Sequence, residues 1–234
     1  MKNGYLLILL ALGSYTLCDQ RNMAWTYEYK TLEAGEAEIE YYFTTETSDS
    51  EFDGKSTSSS HQLELEVGMT NRFDIGIYQV FSQEVDEPLI YKGMKLRARY
   101  RFGEKGKFIL DPLFYIEYKN NAEFSAPVLE FKTILAKDFG KTSLSINPIL
   151  EFEKEDDSWT TESEYAMGIS HRFSDIIGVG MEFIGSEHGH YAGPTISHGL
   201  QGLWMTLGTL YILNEKDVDL PDYKVRLLLG VNLR

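Results

Sequence analysis

Residues 35–46 read GEAEIEYYFTTE, and residues 61–69 read HQLELEVGM. In an extended chain, successive side chains point to opposite faces. The first stretch therefore puts Ala37, Ile39, Tyr41 and Phe43 on one face and Glu36, Glu38, Glu40 and Tyr42 on the other. The second sets Leu63, Leu65, Val67 and Met69 against Gln62, Glu64, Glu66 and Gly68. A helical period of 3.6 would scatter these glutamates around the axis, whereas a period of two gathers them on one side. Both stretches are strands with one apolar and one charged face.

The same rhythm runs to the end of the chain. Phe73, Ile75 and Ile77 oppose Asp74, Gly76 and Tyr78. Met94, Leu96, Ala98, Tyr100 and Phe102 oppose Lys95, Arg97, Arg99 and Arg101. Further strands are expected over 108–118, 127–137, 142–154, 162–172, 177–187, 191–196, 201–213 and 223–234. That makes about twelve strands of about ten residues, the length a tilted strand needs to cross a bilayer. Short connections are expected after Met69, Phe102, Lys137 and Arg172, and longer polar ones at 47–60, 84–92, 119–126, 155–161 and 214–222. Loop lengths that alternate in this way mark an outer-membrane barrel. Within hydrocarbon every backbone N–H and C=O needs an internal partner, and only a closed sheet has no unpaired edge. The expected fold is all-β: a single antiparallel up-and-down transmembrane barrel of about twelve strands with periplasmic termini, and with its apolar face outward. A lipocalin-like barrel or a sandwich would show the same alternation with its apolar face inward.

The chain has 234 residues, which suits one domain, and 43% hydrophobic with 25% charged residues argues against disorder. The net charge of −14 offers no basic face to nucleic acid. Beyond the first residues there is no apolar run of about 18, so membrane helices are excluded. Residues 1–18 read as a secretory signal peptide: Lys2 is the charged start, residues 5–12 (YLLILLAL) the apolar core, and Thr16-Leu17-Cys18 precede a cut before Asp19. Cys18, the single cysteine, permits no internal disulfide. Acylation of Cys18 is the alternative, disfavoured by the bulk of Tyr15 and Leu17. Residues 19–34 are then an N-terminal periplasmic segment and 35–234 the barrel, in a bacterial outer membrane. Its partners would be outer-membrane lipid, the barrel-insertion machinery during assembly, and an unknown small solute.

Residues 24–43 (AWTYEYKTLEAGEAEIEYYF) carry a family resemblance. Thr31-Leu32-Glu33-Ala34-Gly35, followed by the acidic–apolar alternation of 36–42, resembles the opening of outer-membrane barrels of the "MetA-pathway of phenol degradation" type. The resemblance implies a barrel associated with transport and supplies no functional-residue motif.

The charged face defines the candidate site. Glu36, Glu38, Glu64 and Glu66 lie on the first two strands, and Lys95, Arg97, Arg99 and Arg101 form a basic row on the fourth. Charges buried unpaired would be prohibitive. Either acids and bases cross-pair and plug the lumen, or separated walls set a field around water that selects polar solutes. The leading expectation is passive passage of small polar or charged solutes through a narrow lumen lined by these eight residues. The alternatives are a plugged interaction barrel acting through loops such as 47–60, and, less favoured, a barrel hydrolase. Ser170-His171 and Ser197-His198 are sequence neighbours whose side chains point to opposite faces, so neither pair makes a nucleophile and base. His188-Gly189-His190 beside Glu187 is a feasible metal set, but it reads as a hydrated loop. No enzyme, cofactor or metal is expected. Trp25, Trp159 and Trp204 are candidates for the membrane interfaces, Trp204 alternatively for the lumen wall.

Overall fold

The computed structural model describes residues 20–48, 57–155, 158–200, 202–215 and 220–233. The signal peptide, Cys18 and the 49–56 part of the first long loop lie outside the described residues. Twelve strands follow in order: β1 (Ala37–Thr47), β2 (Thr57–Thr70), β3 (Phe73–Gln83), β4 (Ile90–Arg101), β5 (Asp111–Asn121) and β6 (Val128–Phe139). The second half is β7 (Thr142–Glu155), β8 (Ser158–Arg172), β9 (Ile177–Ser186), β10 (Gly189–Leu200), β11 (Leu203–Glu215) and β12 (Tyr223–Asn232). Each pairs antiparallel with the next. β1 closes on β12 in a register running from Glu38↔Asn232 to Thr47↔Tyr223. The result is a closed up-and-down barrel without an edge.

The two faces fall where the alternation puts them. Leu63, Leu65, Ile75, Ile77, Phe114, Ile116, Ile169, Met181 and Ile196 are exposed on the outside, while Glu38, Glu64, Glu66, Asp74, Arg97 and Arg99 are buried inside. A soluble barrel would reverse this arrangement; an apolar belt turned outward suits hydrocarbon. Aromatic rings cluster outside at both rims. Phe102 meets Phe108 and Phe114 at one, and Phe81 meets Tyr91 and Tyr211 meets Tyr223 at the other. Trp159 is exposed, but Trp204 is buried in the lumen and Trp25 also lies inside, so these two are not at an interface.

We call the end where β1 begins and β12 finishes the near end, and the opposite end the far end. Among the fully described near-end turns, Asn71-Arg72 and Gly140-Lys141 are two residues long, with Gly140 in the left-handed region at φ 64°. Loop lengths alternate less cleanly than the sequence suggested. The near-end connection at 102–110 is long, and β5 starts at Asp111 rather than near Phe108. The Asp111 carboxylate explains this: it accepts the N–H groups of Gly106 at 2.8 Å and Phe108 at 3.2 Å, folding the segment back over the rim. At the far end, residues 158–161, read as loop, are strand paired to β7, so β7 and β8 make a long polar hairpin. Likewise residues 57–60 belong to β2, where Ser58 and Ser59 pair with Glu46 and Thr45.

The largest departure lies ahead of the barrel. Residues 19–34 were set apart from the barrel by sequence. From residue 20 on, the structure packs this segment into the lumen, with Met23, Ala24 and Thr26 wholly buried.

Candidate functional site

The inserted segment has no alternation of its own and cannot join a closed sheet, so its backbone polar groups need other partners. Lumen side chains supply them. Glu182 of β9 accepts three consecutive N–H groups, from Ala24 and Trp25 at 2.8 Å and Thr26 at 2.7 Å. Asn147 of β7 accepts the Tyr27 N–H at 2.6 Å and returns its amide to the Tyr27 carbonyl at 3.1 Å. Asp74 of β3 accepts the Leu32 N–H at 3.0 Å, and Thr206 of β11 donates to the Arg21 carbonyl. The segment also clasps itself: the backbone and side-chain N–H groups of Asn22 donate to Glu28, each at 2.8 Å. Burial opposes the Glu28 charge, but Lys30 and these two donors outweigh it and hold the carboxyl below the usual range.

Apolar contacts complete the near half. Tyr29 packs against Leu113, Tyr115, Ile134 and Ala136, and Trp204 joins Tyr42, Tyr78 and Leu228. Glycines make the room. A methyl added at Gly168 would strike Met23 and Thr26; at Gly199, Gln20; at Gly208, Trp25 and Ala24. These glycines, on the inner face of the wall, are the sequence signal that could have revealed an occupant.

The predicted charge row stands beside this filling. Arg97 reaches Glu64 at 2.9 Å, Glu66 at 2.6 Å and the Tyr78 hydroxyl at 2.9 Å. Arg99 pairs with Asp74 at 2.7 Å and with Glu66. Acids of β2 and β3 thus meet bases of β4 along one wall, not across the lumen, and both arginines are buried. Asp74 was read only as part of the polar face; it ties this network to the inserted segment. Arg101 donates to the Asn71 carbonyl and lies over Tyr29, Glu36 accepts the Glu33 N–H at 2.9 Å, and Glu38 accepts the Trp204 indole N–H.

Above the segment the lumen is hollow. A cavity of about 380 Å³ occupies the far half, floored by Trp25 and Tyr27 and walled by Tyr42, Tyr78, Tyr115 and Tyr191. Its charged lining is Lys95, Lys132, Lys224 and Arg226 against Glu117, Glu130, Glu162 and Glu164. Of the eight residues singled out by sequence, Lys95 alone lines this cavity, 3.5 Å from Glu117; the other seven belong to the near half. Lys132 and Arg226 do not stand out in sequence because their strands show fewer charges in a row, and Tyr27 because it lies ahead of the first strand.

The Ser–His neighbours diverge as expected: Ser170 and Ser197 are buried in the lumen, and His171 faces outward to Thr142 and Phe173. His188 lies in the cavity wall 3.7 Å from Glu162, whereas His190 packs outside against Tyr165 and Phe183. The two imidazoles therefore do not converge.

No family model matches the chain, and no curated protein matches its sequence. Solved structures do. The COG4313 outer membrane channel from Pseudomonas putida F1 aligns at TM-score 0.64 and 11% identity, covering 88% of this chain and 98% of that one. The KdgM porin in complex with disordered oligogalacturonate aligns at TM-score 0.59 and 11% identity, covering 83% and 97%. At this identity the likeness establishes the fold: this chain has the architecture of the outer-membrane barrels.

Proposed function

We propose that the protein is an outer-membrane barrel giving passive passage to small polar or charged solutes, which enter the far-half cavity and pass once residues 20–34 are displaced. The observation that carries this reading is the cavity itself, an open charged and aromatic chamber whose floor is a chain segment and not the wall. The segment is held mainly by polar contacts to the lumen, which exchange more readily than a packed core. The channels and porins that share the fold support the reading, as does the resemblance of residues 24–43, the stretch that forms the floor and β1. In this reading the near end is periplasmic, the far end faces outside, and the signal peptide delivers the chain. The basic row of β4 then has divided roles. Lys95 acts on solute, while Arg97, Arg99 and Arg101 with Glu36, Glu38, Glu64 and Glu66 shape the closed half. No catalytic chemistry enters.

The filled near half favours a second reading, a permanently plugged interaction barrel. Single-channel conductance in planar bilayers separates the two. A deletion of residues 20–33 is expected to conduct steadily, while the intact protein opens only intermittently. Silence from both the intact protein and the deletion, each shown to be folded, leaves the plugged barrel.

A further inference from the structure

Most charges around the far-half cavity already have partners. Lys95 stands 3.5 Å from Glu117, Lys132 is 2.8 Å from Glu130, Lys224 is 3.2 Å from Glu46, and Glu162 faces His188. Two groups are exceptions among the described residues. Arg226 of β12 donates Nε to Thr44 at 2.9 Å and Nη1 to the Ala24 carbonyl at 3.5 Å, and lies over the Trp25 ring at 5.0 Å, with no carboxylate on it. Glu164 of β8 lines the same cavity without a hydrogen bond or ion pair to any described residue. Among the described residues, a guanidinium and a carboxylate thus stand apart in one chamber, open to a molecule that brings both counter-charges.

Their spacing follows from the floor. Arg226 stands over Ala24 and Trp25. Glu164 lies two residues along β8 from Ala166, which pairs with Asn147, the partner of Tyr27. The two charges therefore stand over opposite ends of residues 24–27, three residue steps that span at most about 10 Å. Aromatic faces fill the interval: Trp25, Tyr27, Tyr42 and Tyr115. Groups over opposite ends of this floor call for a ligand whose own charges are several bonds apart.

We propose that the cavity is a binding site for small zwitterions whose carboxylate and ammonium are several bonds apart, of the short-peptide class. The carboxylate engages Arg226, the ammonium engages Glu164, and the body lies on the aromatic floor. This rests on the passage reading only for its purpose; binding itself needs the cavity alone.

The test is titration of the detergent-folded protein with trialanine, N-acetyl-trialanine and trialanine amide at pH 7, by calorimetry and by quenching of indole fluorescence. Trialanine is expected to bind roughly tenfold or more tighter than either capped form, the difference one charge-assisted contact makes. Arg226→Gln is expected to abolish discrimination against the amide, and Glu164→Gln discrimination against the acetylated form. Equal binding of the three peptides to the wild-type protein overturns the proposal, even if the variants fail to fold. So does preference for the acetylated peptide, which makes this an anion site. Conductance without peptide binding overturns the proposal and keeps the passage reading; peptide binding without conductance does the reverse.

Discussion

The two halves of the lumen are built from the same alternating strands, yet one is filled and the other hollow. In the near half, arginines of β4 are locked against acids of β2 and β3, and residues 20–34 occupy the axis. In the far half, charges line a chamber and two of them face no counter-ion among the described residues. The strand pattern is common to both halves, so it does not decide between a plug and a chamber. What differs is side-chain size on the inner face. Gly168, Gly199 and Gly208 admit a chain segment near one end, and Tyr, Lys and Glu project into open space near the other. The sequence left open whether acids and bases cross-pair or stand apart; in both halves most of them pair, chiefly with neighbours along the wall.

If the near half is the structural one, its charges should matter most to stability. Arg97→Ala leaves the buried Glu64 without its cation and removes one of the two arginines on Glu66; it is expected to cost about 3–5 kcal/mol, read as a lower urea midpoint at unchanged slope. A loss as small as that of a surface ion pair would erase the distinction between the halves. Next comes the tether of the segment. Glu182→Gln replaces an acceptor of three N–H groups with one acceptor oxygen and an opposing NH₂. About 1.5–3 kcal/mol should be lost, seen as faster hydrogen exchange at Ala24, Trp25 and Thr26 while the strands stay protected. Uniform loss of protection would place the segment in the same cooperative unit as the wall.

Acid sharpens the comparison further. Glu28 has a depressed folded-state pKa, so its contribution is present above the unfolded-state pKa and lost as pH falls through the folded value. Open time in bilayers is expected to rise on acidification below the ordinary carboxylate range, and Glu28→Gln should remove that pH dependence. The smallest effect is expected at the far rim. Lys224 pairs with a half-exposed Glu46, and Lys224→Ala should change stability by less than about 1 kcal/mol while leaving the near half untouched. A larger loss would mean that the far rim is structural as well.

Twelve strands, their faces and their closure were legible because lipid and lumen impose a strict period of two over every strand. Leu63/Glu64/Leu65/Glu66 and Lys95/Leu96/Arg97/Ala98 needed no other information. Strand ends were legible only where the apolar face stops. Past the belt, Thr57–Ser60 and Ser158–Thr161 continue as polar strand, because hydroxyl-rich hairpins pair just as well in water. The lumen segment was not legible, since its hydrogen bonds go to Asp74, Asn147 and Glu182, scattered through the chain. Nor was the cavity: Arg226 and Glu164 are ordinary in sequence, and their significance lies in what they do not touch.

The attachment of residues 20–34 also orders the birth of the molecule. Its anchors lie far along the chain: Glu182 is 158 residues from Ala24, and Thr206 is 185 from Arg21. Contacts of such separation form only after the strands that bear them are in place, since closing long loops without other gains is entropically uphill. A nascent barrel therefore passes through a stage that is hollow from rim to rim, with its leading residues still outside the wall. Assembly and the proposed passage then share one motion. The displacement that would open the mature protein retraces the last step of its folding.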